Sequence, residues 1–223
     1  DAPRMKGTAV SNGKSVATHG LSRDELLRAY RTMVLSRKLD DKEIQLKNQS
    51  RIFFQISGAG HEAILVAAGM TLKPGYDWFF PYYRDRALTL MLGITVYEML
   101  LAAVGSKDDP SSAGRMMPSH WSKPSLHIMN RSSATGMQCL QGAGSAEASK
   151  RLPLLGAPPP QVEEDEVTYV SIGDGATGEG EEQALREQLA DEAGAAGSQG
   201  GPHRHLSLTR GRAGQQEVGD VDA

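Results

Sequence analysis

The sequence of 223 residues has little of several features that assign a chain quickly to a class of protein. Its single cysteine, Cys139, excludes an internal disulfide and argues against a structural metal held by thiolates. No apolar run approaches the roughly 20 residues that a membrane-spanning helix needs, and residues 1–20 lack the apolar core of a signal peptide. We therefore predict no membrane anchor, a reducing compartment and a cytoplasmic location.

An excess of one charge is also missing. The chain has 24 lysines and arginines and 27 aspartates and glutamates, which leaves a formal net charge of -3. Nucleic-acid-binding proteins concentrate positive charge on one face, so this balance gives no support for a nucleic-acid partner. Hydrophobic residues make up 39% of the chain, which is enough for a globular core.

Hydrophobic periodicity predicts helices that alternate with a few short strands. Helices are expected at about 21–47, 61–70, 85–92, 95–104 and 136–149. Strands are expected at 78–82 and 167–172. Ser22 and Glu25 match a capping box at the start of the first helix. This order of elements favours a doubly wound α/β fold.

Composition divides the chain into three parts. Residues 1–20 are rich in small and polar residues, and we expect a disordered leader. Residues 21–181 contain the predicted helices and strands and form one partial domain. Residues 182–223 contain no Ile, Phe, Tyr, Trp or Met. Such a segment buries too little apolar area to offset the entropy of ordering, so we expect a short helix at 181–192 and then a disordered tail.

A buried strand that ends in Gly173-Asp174-Gly175 is the strongest indication of chemistry. Such a turn can place the Asp174 carboxylate at the edge of a sheet, and Mg²⁺ takes carboxylate and phosphate oxygens as ligands. A helix expected to begin at Thr177 would direct backbone N–H groups at the same anion. The alternative is an ordinary strand-to-helix turn, which is the more common case for the triplet alone.

Two other segments suit an anionic ligand. Tyr82-Tyr83-Arg84 follows the first strand, and arginine beside tyrosine hydroxyls can bind phosphate. Solvated charges at the start of a helix are the alternative. His61 opens a predicted helix, where a histidine is more often structural than a ligand contact.

A long polar loop and the start of the next helix hold the remaining candidates. His120 and His127 lie in the loop 106–133, which is expected to be functional or mobile. Either histidine could act as an acid or base, although loop histidines are usually solvated. The stretch 131–138 combines hydroxyl groups and an amide, so it could hold a monovalent cation or an aminopyrimidine ring, or simply cap a helix.

Five ordered segments together resemble one family. They read FFQISGAGHEA, DWFFPYYRDRALTLMLG, GRMMPSHW, SSATGMQCLQGAGSAEA and GDGATGEGE. This series resembles the α-type portion of the thiamine diphosphate-dependent decarboxylating component of 2-oxo acid dehydrogenase complexes. The likeness is best to the branched-chain type, including forms with fused α and β parts. It covers about residues 21–181 and implies a thiamine diphosphate-binding α/β fold, a parallel sheet flanked by helices, that is incomplete at the C-terminus.

The resemblance also implies roles for individual residues. His120 lies in a loop that surrounds the active site in this family and is the catalytic candidate. The matched binding positions are Tyr82, Tyr83 and Arg84 at the diphosphate, Asp174, Gly175 and Ala176 at Mg²⁺, Ser133 and Thr135 at the aminopyrimidine, Ser132 and Gln138 at a K⁺ site, and Phe54, Gln55 and Ile56 along the substrate channel.

The implied reaction is oxidative decarboxylation of a branched-chain 2-oxo acid with transfer of the acyl group to a lipoyl group. Thiamine diphosphate supplies the electron sink, while the protein positions it. The implied partners are a β-type dehydrogenase domain or subunit and a lipoyl-bearing acyltransferase, in an oligomer such as α₂β₂ or a fused dimer.

The chain departs from the family pattern after Glu181. The family places an asparagine, its second metal ligand, behind a further strand, but residues 191–207 contain no asparagine and no strand pattern. Ala134 and Met137 replace a proline and a threonine that are usual near the cation site. We expect this chain not to be competent alone. We hypothesise that a reading-frame error just after Gly180 produced the atypical segment.

Two other interpretations stay open. The chain could be a non-catalytic fragment that only docks to a β-type partner, or a pyruvate-using or transketolase-like relative. A measurement of thiamine diphosphate binding in the presence of Mg²⁺ distinguishes a fragment that only docks from a chain with an intact cofactor site. The sequence does not reveal the shape of the pocket, which decides among 2-oxo acids by only ~1–3 kcal/mol per methylene.

Overall fold

The computed structural model describes residues 20–130, 133–156, 162, 163, 165–178, 180 and 187. The expected leader and tail therefore lie outside the described residues, apart from Gly20 and Glu187. Ser132, a predicted cation ligand, lies outside them as well.

The described chain folds into five α-helices, two strands and three short 3₁₀ helices. The α-helices are α1 (Arg23–Asn48), α2 (Glu62–Thr71), α3 (Arg86–Leu92), α4 (Val96–Ala103) and α5 (Met137–Arg151). The strands are β1 (Trp78–Phe80) and β2 (Thr168–Val170), and the 3₁₀ helices cover Pro124–Leu126, Leu152–Leu155 and Asp174–Gly178. The five helices predicted between residues 21 and 149 and both strands are thus present, with ends shifted by a few residues, while the helix predicted at 181–192 lies outside the described residues apart from Glu187.

The two strands form a parallel pair in which Phe80 lies opposite Val170. A parallel pair needs a long crossover connection, which here contains α3, α4 and α5. The predicted fold class, a parallel sheet flanked by helices, is confirmed for the described part of the chain. Because the strands run in the same direction and in register, the segments that follow Phe80 and Val170 leave the sheet at the same edge.

The sheet separates two apolar layers because successive strand residues point to opposite faces. On one face, Phe79 packs with residues of α1, α2 and α3 and with Trp121 and Ile128 from the long loop. On the other face, Phe80 and Val170 pack with Cys139 and Ala143 of α5. In the described part of the chain, helices therefore cover both faces of the two-stranded sheet.

Local sequence signals explain several element boundaries. Ser22 caps α1, since its hydroxyl accepts the Glu25 N–H at 3.2 Å while the Glu25 carboxylate accepts the Ser22 N–H at 2.8 Å. Thr95 and Glu98 repeat this capping box at α4. Gly93, at φ 116°, ends α3 in the left-handed region and separates it from α4.

Two regions differ from the sequence-based expectation. The turn after β2 continues as a 3₁₀ helix over Asp174–Gly178, so a tighter helix occupies the position where an α-helix was expected to begin at Thr177, and α-helical backbone is found just beyond it at Gly180. The loop 106–130 is packed rather than loose: Trp121 and Ile128 are buried in the core. No helix in the described part of the chain is long and apolar enough to cross a membrane.

Candidate functional site

The edge where both strands end carries the two predicted anion-binding segments. Tyr82-Tyr83-Arg84 follows β1, and Gly173-Asp174-Gly175 follows β2. The two segments are in direct contact, because a methyl group on Gly173 would stand 2.6 Å from the Tyr82 hydroxyl oxygen. The structure therefore brings together the segments that sequence motifs had identified separately.

Tyr82, Tyr83 and Arg84 form a compact group. The rings of Tyr82 and Tyr83 lie with centroids 4.0 Å apart, and the Arg84 guanidinium carbon is 5.3 Å from the centroid of Tyr83. Burial and a hydrogen bond to Tyr83 raise the pKa of Tyr82 to about 12, while Arg84 acts in the opposite direction. The Tyr82 hydroxyl therefore keeps its proton at neutral pH.

The Arg84 side chain is held by a hydrogen bond to the segment that precedes α2. Arg84 Nη1 donates to the Ser57 carbonyl oxygen at 2.7 Å, and the Ser57 hydroxyl donates to Asp40 Oδ2 at 2.8 Å. The Gly58 N–H donates to the same Asp40 oxygen at 3.0 Å. A buried carboxylate of α1 thus fixes the backbone on which Arg84 rests.

His61 lies within electrostatic reach of both Arg84 and Asp174. Burial lowers the pKa of His61 and the Arg84 charge lowers it further, whereas Glu62 and Asp174 act in the opposite direction. Arg84 and Asp174 are therefore both close enough to His61 to influence its charge. Sequence reasoning considered His61 a structural residue, and its position beside two charged groups gives it a place in the candidate site.

Asp174 lies exposed at the beginning of the last 3₁₀ helix. Its Oδ1 accepts the Gly175 N–H at 3.0 Å, and the buried Ala176 closes the turn by donating its N–H to the Gly173 carbonyl oxygen at 3.0 Å. An exposed carboxylate at this edge suits a hard cation. The described part of the chain contains no cluster of three or more His, Cys, Asp or Glu that could hold a metal ion.

His120 is buried, which contradicts the expectation of a solvated loop histidine. Its exposed fraction is 5%, and its Nε2 lies 2.8 Å from the Ser133 hydroxyl. Its Nδ1 lies 3.3 Å from the Pro118 carbonyl oxygen, which can only accept, so Nδ1 carries the proton and Nε2 accepts from Ser133 in the neutral ring. The predicted catalytic histidine and one predicted aminopyrimidine contact are therefore neighbours, and Thr135 lies two residues further on.

Gln138 combines burial with an unused oxygen. It is fully buried at the start of α5, and its Nε2 donates to the Ser171 carbonyl oxygen at 2.9 Å. Its Oε1 has no hydrogen-bond partner among the described residues. An interior carbonyl oxygen of this kind could accept a cation, but the cation site stays a prediction, and Ser132 lies outside the described residues.

The predicted substrate-channel residues lie on the segment before α2. Phe54 is exposed, while Gln55 is half-buried with its Nε2 unpaired among the described residues. The Ile56 carbonyl oxygen accepts Arg86 Nη2 at 3.2 Å, which ties the segment to α3. Their contact with a substrate stays a prediction.

Sequence reasoning missed two residues that connect the strand ends. The Tyr82 N–H donates to both Asp85 Oδ2, at 3.0 Å, and Ser171 Oγ, at 2.9 Å. Asp85 adjoins the tyrosine–arginine segment and Ser171 precedes the glycine turn, so both lay beside identified motifs. Nothing in the sequence signals that they meet, because 86 residues separate them.

Comparisons with known proteins give matches over most of the chain. A family model described as "Dehydrogenase E1 component" matches residues 30–184. The chain is 32% identical over 162 residues to "2-oxoisovalerate dehydrogenase subunit alpha" of Bacillus subtilis, which covers 73% of this chain and 46% of that protein.

Two further relatives carry related names. "3-methyl-2-oxobutanoate dehydrogenase subunit alpha" of Mycobacterium tuberculosis is 31% identical, over 71% of this chain and 38% of its own length. "2-oxoisovalerate dehydrogenase subunit alpha 2, mitochondrial" of Arabidopsis thaliana is 28% identical, over 78% of this chain and 34% of its own length. The chain thus spans about a third to a half of the length of these curated relatives.

Proposed function

Because the chain belongs to the dehydrogenase E1 component family, we propose that it carries the α-type half of a thiamine diphosphate site for decarboxylating a branched-chain 2-oxo acid. The observation that carries the proposal is the contact between the Tyr82-Tyr83-Arg84 segment and Gly173, with Arg84 and Asp174 both acting on His61. This arrangement presents a cation, hydroxyl donors and a carboxylate at one sheet edge, as a metal-bound diphosphate requires.

The residues present fit the cofactor's diphosphate end. Arg84 supplies a charged donor and Tyr83 a hydroxyl for the phosphate oxygens, while Asp174 supplies one carboxylate for Mg²⁺. Gly175 and Ala176 contribute backbone to the metal turn. The positive charge of Arg84 and that of the metal would together offset the charge of the diphosphate.

A second set of residues fits the ring end and a cation. Ser133 and Thr135 offer hydroxyl groups to the aminopyrimidine, and His120 holds a proton acceptor, Nε2, against Ser133. The unused Gln138 oxygen fits K⁺. When bound, the cofactor supplies the electron sink for breaking the carboxylate–carbonyl bond, and the protein positions it and excludes water.

The names of the relatives support branched-chain 2-oxo acids as substrates. Phe54 and Gln55 would border the channel, with acyl transfer to a lipoyl group on an acyltransferase. The partner that completes the site would be a β-type domain or subunit, in a cytoplasmic oligomer.

One observation favours a second function. The described residues contain no group of three or more His, Cys, Asp or Glu that could hold a metal ion, so Asp174 has no ready-made ligand cluster there. If Asp174 does not bind Mg²⁺, the chain would dock to a β-type partner without binding the cofactor itself.

A calorimetric titration of the full chain with thiamine diphosphate, with and without Mg²⁺, separates the two. We expect binding that requires Mg²⁺. Asp174→Ala should weaken it by more than the roughly tenfold loss typical of outer-shell residues at metal sites. Asp41→Ala, at an exposed aspartate of α1, is the matched control and should bind like the unaltered chain. Binding that is independent of Mg²⁺, or unaffected by Asp174→Ala, would refute the proposal.

A further inference from the structure

A buried carboxylate lies between the two loops of the candidate site. Asp85, at the start of α3, is 2% exposed, and its Oδ2 accepts the Tyr82 N–H at 3.0 Å. The Ser171 hydroxyl, just after β2, donates to the same oxygen. The Tyr82 N–H also lies 2.9 Å from Ser171 Oγ, which closes a three-membered hydrogen-bonded group.

This group connects the segments that follow β1 and β2 with the start of α3 and with α5. Ser171 is anchored on its backbone as well, because its N–H donates to the Phe80 carbonyl oxygen at 3.4 Å and its own carbonyl oxygen accepts Gln138 Nε2 at 2.9 Å. Burial raises the pKa of Tyr169, the Asp85 charge raises it further, and a hydrogen bond to Ser171 opposes the rise. The Tyr82 and Ser171 donors to Asp85 therefore come from the segments that follow both strands.

A buried carboxylate is unfavourable unless several donors compensate it, so its hydrogen bonds constrain the donors in turn. The donors here are the backbone of Tyr82, which begins the diphosphate segment, and Ser171, which lies two residues before Gly173. Neither Asp85 nor Ser171 needs to touch the cofactor to affect it.

We propose that Asp85, acting through Ser171, is a positioning residue that holds the Tyr82–Arg84 segment in register with the Gly173–Gly175 turn, so that diphosphate and metal ligands face each other. The inference rests on the proposed function of this edge as a thiamine diphosphate site. Small displacements of positioning groups are sufficient to weaken a site of this kind strongly.

A purely structural role for Asp85 is the rival explanation, and the chain contains a control for it. Asp77 is 4% exposed and performs the same task at the opposite ends of the strands, accepting the Lys73 N–H at 2.6 Å and the Val167 N–H at 2.9 Å. If joining the strands were all that mattered, substitutions at Asp77 and Asp85 would have the same effect on binding.

The first experiment measures thiamine diphosphate affinity in the presence of Mg²⁺, below the melting temperature of every variant. We expect Asp85→Asn to weaken binding about tenfold or more, as the loss of a hydrogen bond to a charged group does, and Ser171→Ala to weaken it by a smaller factor. Asp77→Asn should lower the melting temperature and leave the affinity unchanged. Equal affinity losses at positions 77 and 85, or no loss in Asp85→Asn and Ser171→Ala, would overturn the inference.

The second experiment uses no ligand. Amide hydrogen exchange should become faster at both 82–84 and 171–176 in Asp85→Asn, and also in Ser171→Ala if Asp85→Asn does not fold. Asp77→Asn should leave both segments unchanged. If the unaltered chain binds no thiamine diphosphate, the proposed function fails, while exchange still decides whether Asp85 couples the segments. Faster exchange in one segment alone would refute the coupling.

Discussion

The backbone of Gly142 in α5 lies directly against the side chain of Val170 in β2. A methyl group on Gly142 would overlap Val170 Cγ2, and it would stand 3.6 Å from Phe80 Cδ2. Gly142 therefore sets the distance between α5 and the sheet. The same helix carries Gln138 to the end of β2.

We predict that Gly142→Ala lowers the free energy of unfolding by about 1–3 kcal/mol, because overpacking displaces α5 from the strands. Gly144, two residues along the same helix, has nothing within 4 Å of an added methyl group. Gly144→Ala should therefore raise the free energy of unfolding by up to about 1 kcal/mol through helix propensity. Urea unfolding of the two variants measures both effects, and equal effects at the two positions would contradict the packing argument.

A second prediction concerns the buried ion pair between α1 and α3. Arg86 Nη1 and Nη2 lie 2.9 and 2.6 Å from the two Glu43 carboxylate oxygens, and Arg86 Nε lies 3.4 Å from Asp40 Oδ1. Burial raises the pKa of Glu43, and Arg86 opposes that rise. Arg86→Met should reduce the free energy of unfolding by about 3–5 kcal/mol, since it leaves two carboxylates buried without their cation.

The control for this pair is Arg151, which forms an ion pair with Glu147 while 70% of its side chain is exposed. Solvent screens such a pair, so Arg151→Met should change the free energy of unfolding by less than about 1 kcal/mol. Thermal and urea unfolding compare the two variants. A small effect of Arg86→Met would mean that the pair contributes little beyond packing.

The third prediction is a loss of stability in acid that depends on Glu98. Burial acts to raise the pKa of Glu98, but hydrogen bonds from Lys123, at 2.7 Å, and from Thr95 outweigh it and lower the pKa below 4.5. A lowered folded-state pKa means that the stabilisation is present above the unfolded-state value and is lost as pH falls through the folded-state value. Between neutral pH and strong acid, the unaltered chain should lose about 1 kcal/mol more than Glu98→Gln. Urea unfolding across this range measures it, and parallel pH profiles of the two chains would contradict it.

The sequence predicted the elements better than the contacts among them. The capping box at Ser22 is local, so the spacing of Ser22 and Glu25 alone locates the start of α1. The convergence of the tyrosine–arginine segment and the Gly173 turn was also predictable, because parallel strands place both at one edge.

Contacts between distant residues were not predictable in this way. Asp85 and Ser171, or Arg86 and Glu43, carry no mutual sequence signal, since hydrophobic periodicity describes single elements and not which polar side chains meet. The burial of His120 was missed for a similar reason: a polar loop looks solvated until its own Trp121 and Ile128 are known to enter the core. The roles assigned to Phe54, Gln55 and Thr135 stay predictions.

The fourth prediction uses two glycines of the segment that follows β2. A methyl group on Gly173 would stand 2.6 Å from the Tyr82 hydroxyl oxygen and 2.8 Å from the ring carbon that carries it, whereas one on Gly178 would meet nothing within 4 Å. Tyr82 is 8% exposed and its ring packs against that of Tyr83, so it has little room to retreat. Gly173→Ala should therefore push apart the two segments and weaken Mg²⁺-dependent thiamine diphosphate binding, while Gly178→Ala should leave it nearly unchanged.

The partner variant Tyr82→Phe decides whether the Tyr82 contact is the cause. In the Gly173→Ala background it removes the nearer of the two clashing atoms, so we expect it to restore part of the lost affinity, even though it removes a donor and weakens binding in the unaltered background. A double-mutant cycle measured by calorimetry isolates this term, because the two residues are in contact and their effects should not add. Additive losses would show that Gly173 acts on the metal turn alone, and the two segments would then have no steric coupling through Tyr82.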